Sequence, residues 1–109
     1  MRYLTLFALL MGLNNLLFAE QPAAEPLYQE HCSACHGNNR LGVTGPALLP
    51  ENLRRLRKKK AFATIAEGRP ATQMLPFAGK LNDQQTQALV DYIFTPLAET
   101  PMWGEKEIL

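Results

Sequence analysis

The chain has 109 residues, 47% of them hydrophobic, with 11 basic and 10 acidic side chains and a formal net charge of +1. That length suits one domain, and the near balance of charge excludes a global field for nucleic acid.

The first element is not part of the domain. Arg2 precedes an apolar stretch from Tyr3 to Leu13, which resumes at Leu16–Phe18 after Asn14-Asn15 and gives way to the polar Glu20-Gln21-Pro22. This is the basic, apolar and small-residue order of a secretory signal. Residues 1–19 are predicted to be a signal peptide cleaved after Ala19, with Ala24 as the second choice; Leu17 stands where a small residue is preferred. The rival is an uncleaved anchor, but the apolar run falls short of the ~20 residues of a membrane span. Cleavage removes Arg2 and leaves equal numbers of basic and acidic side chains.

Residues 20–25 read as a linker and residues 26–96 as the domain. A first helix is predicted from Pro26, a residue tolerated in a first turn, through Leu27, Tyr28 and His31, to stop near Gly37. Residues 37–50, GNNRLGVTGPALLP, are punctuated by Gly, Asn and Pro as a loop. The stretch ENLRRLRKKKAFATIAEG is predicted as a second helix with Leu53, Leu56, Phe62, Ile65 and Ala66 on one face, ended by Gly68 and Pro70. Residues 69–80 form another Pro/Gly-interrupted segment. Asn82 caps a last helix, NDQQTQALVDYIF, with Thr86, Leu89, Val90 and Ile93 facing inward. Residues 97–109 are a tail with a lone Trp103. No segment alternates like a strand, so the predicted fold is all-α: three main helices with long loops.

The stretch HCSACHG, residues 31–37, carries both cysteines. Cys32 and Cys35 lie one helical turn apart on the same face. Their separation suits the two vinyl groups on one haem edge, and His36 behind them can offer a nitrogen to the iron. C-x-x-C-H is the attachment signature of c-type haem. The rivals are weaker. A thioredoxin-like dithiol needs strands that are missing. A structural zinc site needs four ligands, and Cys32, Cys35, His36 and His31 would all come from one six-residue stretch. A disulfide here would close a very tight loop and stabilise little.

A second iron ligand follows by chemistry. His31 abuts Cys32 and is assigned to packing. Met1 and Met11 leave with the signal. Met74 and Met102 remain, and a thioether opposite a histidine is a common electron-transfer arrangement. Met74, in a loop stiffened by Pro70 and Pro76, is the preferred ligand. Met102, or an open iron, is the alternative.

LYQEHCSACHG, GPAL, the Gly-Arg-Pro…Met…Pro-Phe loop and the Tyr-containing last helix together resemble the class I cytochromes c, over residues 26–95. The resemblance implies one covalent haem c, bound by Cys32, Cys35, His36, Gly45, Pro46 and Met74, with His36 and Met74 on the iron. It also implies that the Pro46 carbonyl accepts a hydrogen bond from the His36 ring. LYQEHCSACHG, GPALLPENL and AEGRPATQM are similar to the small c-type cytochrome associated with cytochrome cd1 nitrite reductase and to haem c domains of d1-haem proteins. The tail from Pro101 to Glu105 is similar to the join between such a domain and a d1-binding propeller. One departure is visible: the usual Met-Pro pair reads Met74-Leu75-Pro76. The implied role is periplasmic single-electron transfer in denitrification, to a d1-haem nitrite reductase or during d1 haem maturation, with no substrate transformed. The alternatives are a haem module that binds a small ligand through a displaceable sixth position, and an assembly partner of d1-haem proteins.

The run RRLRKKK, residues 54–60, holds six cations in seven positions. It is read as a docking patch for an acidic redox partner, against the plainer reading of a solvated face; an anionic membrane surface is a further candidate.

Overall fold

A computed structural model describes residues 22–99, Gly104 and Lys106. The proposed leader with its preferred cleavage site after Ala19, Met102 and Trp103 lie outside the described residues; the second-choice site at Ala24 lies within them. Within residues 22–99, four helices follow in order: α1 Ala24–His31, α2 Ser33–His36, α3 Lys58–Glu67 and α4 Asp83–Ile93. The all-α expectation holds, with no strand among the described residues. No helix among them is long and apolar enough to cross a membrane.

α4 packs against both α1 and α3 and organises the core. Asn82 and Gln85 form a reciprocal capping box at its start: the Gln85 backbone nitrogen donates to the Asn82 side-chain Oδ1 at 2.8 Å and the Asn82 backbone nitrogen donates to the Gln85 side-chain Oε1 at 2.9 Å. Each bond satisfies a donor with no intrahelical partner. Thr86, Leu89, Val90 and Ile93 are all buried, as their spacing demands. They meet Tyr28 of α1 and Ala61 and Ile65 of α3, with Leu53 and Leu81 closing the edges.

α1 begins two residues before the proline expected to open it. Pro26 remains in the first turn, where backbone N–H groups have no intrahelical acceptor, so nothing is lost. The chain kinks at Cys32 (φ −121°, ψ −33°), turns once more through α2 and stops at Gly37 in the left-handed region (φ 85°).

The second predicted helix is corrected. Residues 51–57 form successive turns, and α3 starts only at Lys58. Asn52 and Leu53 both donate to the Leu49 carbonyl, and Leu56 donates to that of Leu53. These turns still bury Leu53 and set Leu56 against the core, which is why the apolar spacing imitates a helix. A continuous helix would stack Arg54 over Lys58 and Arg55 over Lys59, like-charge pairs that disfavour it. Even so, α3 opens with three lysines against its own dipole; Lys58 is partly compensated by Asp91 at 3.0 Å.

Tyr28 is fully buried between α1 and α4, its ring 5.4 Å from that of Tyr92. Its hydroxyl donates to the Gly37 carbonyl at 2.7 Å and so ties α1 to the end of the cysteine motif. Burial first, then the neighbouring Cys32 and Tyr92, pushes its pKa from 10.0 up to about 12. The neutral phenol is therefore favoured by folding. Its contribution is fully present below pH 10 and is lost as pH rises toward about 12. Thermal midpoints should fall across that window, and Tyr28→Phe should flatten the fall while costing about 1 kcal/mol at neutral pH. An equal alkaline fall in the variant would contradict this assignment.

Candidate functional site

The kink at Cys32 and the single turn of α2 present the motif. The Cys32 carbonyl accepts from both Cys35 (3.2 Å) and His36 (3.0 Å), which locks the two cysteines one turn apart. Neither thiol is in a disulfide; Cys32 is half-buried and Cys35 exposed. Burial, aided by Cys35, pushes the Cys32 thiol up to about 11. Reactive dithiols have lowered pKa values, so this thiol is not poised for disulfide exchange. No group of three or more His, Cys, Asp and Glu side chains among the described residues is arranged to hold a metal ion by itself.

The loop after the motif folds back over it. Val43 and Gly45 donate to the Cys35 carbonyl at 3.2 and 2.7 Å, and Gly42 donates to that of His36 at 2.8 Å. Gly45 is thereby pressed flat on the His36 ring: a β-carbon there would stand 2.9 Å from Cε1 and 3.0 Å from Nδ1. The next residue, Pro46, places its carbonyl oxygen 2.7 Å from His36 Nδ1. A carbonyl only accepts, so Nδ1 carries the proton, and the neutral ring keeps its lone pair on Nε2. Cys32, Cys35, His36, Gly45 and Pro46 thus form one connected unit.

Met74 sits in a second segment, folded onto the end of α3. Phe77 and Ala78 donate to the Ile65 and Ala66 carbonyls, each at 3.1 Å, and Arg69 donates to the Met74 carbonyl at 3.0 Å. Thr72 braces the turn, its hydroxyl donating to the Arg69 carbonyl at 2.7 Å and lying 3.2 Å from the Met74 nitrogen. Met74 is half-buried against the same core that Cys32 touches. The extra residue of Met74-Leu75-Pro76 is turned outward: Leu75 is 66% exposed. His31 packs its ring edge against Phe77 at 6.0 Å, joining α1 to this segment.

One functional candidate is absent from the sequence reading. Arg40 is buried at 3% exposure, between the motif and α4. Its only signal was an arginine standing alone in a Gly/Asn-rich loop.

The family model described as cytochrome c oxidase, cbb3-type, subunit III matches residues 19–93. The dihydro-heme d1 dehydrogenase of Pseudomonas aeruginosa is 46% identical over 101 residues, which cover 93% of this chain and 20% of that protein. Cytochrome c55X of the same organism is 43% identical over 65 residues, 60% of this chain and 55% of that one. The chain therefore spans about a fifth and about half of these two relatives' lengths. Among solved structures, dihydro-heme d1 dehydrogenase NirN in complex with DHE aligns with a TM-score of 0.73 at 49% identity, over 77% of this chain and 18% of that chain. The c-type cytochrome NirC aligns with a TM-score of 0.60 at 40% identity, over 64% of this chain and 82% of its own.

The prosthetic group of such proteins is haem c, and the donors here fit it. Two unpaired thiols stand one turn apart beside an imidazole with a free Nε2. Leu27, Leu48, Leu56, Phe62 and Phe77 pack on the core but stay only partly buried, offering apolar surface to a large flat group.

Proposed function

Because the chain belongs to the cytochrome c family, we propose that it is a periplasmic one-electron carrier serving d1-haem proteins of denitrification. Its cofactor is haem c. Cys32 and Cys35 would hold it through thioether bonds, and His36 Nε2 and the Met74 sulfur would bind its iron. When bound, the haem supplies a centre that takes up one electron and passes it on; no substrate bond is made or broken.

The chain's own residues do the rest. Pro46 fixes the His36 tautomer and makes the imidazole a stronger donor through the 2.7 Å contact with Nδ1. That contact is the observation that carries the reading, since it leaves one nitrogen bound and the other free. Met74 supplies a soft sulfur that favours the reduced iron. The partner class rests on the likeness to a dihydro-heme d1 dehydrogenase and to NirC. Residues 1–19, with the pattern of an export signal, support the periplasmic placement.

The basic run supports docking to an acidic partner. Arg54, Arg55, Arg57, Lys58, Lys59 and Lys60 are all exposed, and only Lys58 is in an ion pair among the described residues. Electron transfer to a purified cytochrome cd1 nitrite reductase tests both carrier and surface. Neutralising Arg55, Lys59 and Lys60 should slow the second-order rate roughly tenfold at low salt and flatten its salt dependence. An unchanged rate and slope would place docking elsewhere, and no transfer by the parent protein would remove this partner.

A further inference from the structure

We propose that Arg40 is a positioning residue that sets the iron's potential by holding Pro46 on His36. The inference rests on the haem c reading above and goes beyond it, because it concerns a buried cation that touches neither the motif cysteines nor the ring.

Arg40 controls both ends of the loop that carries Gly45 and Pro46. Its backbone nitrogen donates to Gly37 at 3.1 Å, and its carbonyl accepts from Leu48 at 2.9 Å, closing residues 40–48 into a ring. Its guanidinium then fastens that ring to the end of α4. Nη1 donates to the carbonyls of Tyr92 at 2.9 Å and Thr95 at 2.8 Å, with a longer contact to Leu48 at 3.4 Å. The guanidinium carbon lies 4.7 Å from the centre of the Tyr92 ring.

A buried cation is costly unless compensated. No carboxylate forms an ion pair with Arg40 among the described residues. The compensation is the negative end of the α4 dipole together with the Tyr92 face. Nε has no hydrogen-bond partner among the described residues. The backbone is held at φ 65°, a region that arginine seldom adopts. An arginine that is buried, incompletely satisfied and strained is a poor choice for stability alone. What it does hold in place is the loop, at the helix end where the Nη1 amino group reaches two carbonyls at once.

The consequence reaches the iron through His36. Gly45 leaves no room for a β-carbon against the ring, and the Pro46 carbonyl is bonded to Nδ1. Freeing the loop lengthens that bond. The imidazole then becomes a weaker donor, and the oxidised iron loses more than the reduced one. Loosening Arg40 therefore raises the potential, while loss of its charge alone would lower it. Lysine keeps the charge, but its nitrogen ends one bond short of Nη1 and it has no guanidinium plane to lie over Tyr92, so Arg40→Lys separates the two effects.

The test uses the holoprotein. The exchange rate of the His36 Nδ1 proton with D2O is read by NMR beside the amides of Leu89 and Val90, which report global opening, and the midpoint potential is measured. In Arg40→Lys the Nδ1 proton should exchange at least tenfold faster than in the parent, beyond any change at Leu89 and Val90, and the potential should rise. Tyr92→Leu, which leaves the carbonyl acceptors and removes the ring beneath the guanidinium, should shift both in the same sense but less; it serves if Arg40→Lys does not accumulate. Parallel acceleration at all three sites, or a potential that is unchanged or lower, overturns the proposal and leaves the carrier reading intact. A parent protein without His36-bound haem overturns both.

Discussion

Replacing Cys32 and Cys35 together by alanine is expected to leave a chain that no longer unfolds cooperatively. The buried apolar set among the described residues is Tyr28, Leu53, Ala61, Ile65, Leu81, Leu89, Val90 and Ile93. A domain of this size buries a smaller fraction of its surface than a larger one and is commonly reinforced by a disulfide, metal or cofactor. The whole margin of such a domain is ~5–15 kcal/mol, and a covalently held porphyrin supplies apolar area of that order to the half-buried ring of Leu27, Leu48, Leu56, Phe62 and Phe77. The double variant should carry no covalent haem and melt without a sigmoidal transition by circular dichroism. A parent-like helical signal and a sharp melt would mean that the polypeptide core suffices.

Gly68→Ala should have the second-largest effect, and on a different part of the molecule. A β-carbon at residue 68 would lie 2.7 Å from the Met74 carbonyl oxygen, 2.8 Å from the Pro76 nitrogen and 2.9 Å from the Leu75 carbonyl carbon. All three are backbone atoms, so no side chain can swing away. The φ of 72° adds strain for any residue with a β-carbon. Overpacking of this kind costs about 1–3 kcal/mol and the left-handed backbone about 1 more, or a fall in Tm of roughly 10 °C or more for a domain of this size. The clash falls on the Met74 segment, so the sulfur-to-iron absorption should weaken while the covalent haem stays. Gly79→Ala is the control, since a β-carbon there meets nothing within 4 Å. A Gly68→Ala protein with the parent's Tm and near-infrared band would show that the segment is free to shift.

Local chemistry explains what was legible beforehand. The N-cap at Asn82 and the inward face of α4 follow from local spacing, and both stand as read; the reciprocal bond from the Gln85 side chain was added by the structure. The attachment motif is equally local, and the bond from His36 to Pro46 came with the resemblance. The start of α3 was misplaced because Leu53 and Leu56 reach the core from consecutive turns at helix-like spacing. Arg40 was invisible because its partners are carbonyls of residues 92 and 95, and backbone acceptors leave no trace in composition. Gly68 was legible as a helix stop, but the pressure of Met74–Pro76 on its α-carbon exists only after the segment has folded back on α3.

The central claim is a covalent haem c whose iron lies between His36 and Met74. Its most direct test is the optical spectrum of the exported protein, oxidised and then reduced. Sharp reduced α and β bands, with the weak near-infrared sulfur-to-iron band in the oxidised form and its loss in Met74→Ala, are the expected result. A high-spin spectrum in the parent, or a near-infrared band that survives Met74→Ala, would contradict the claim.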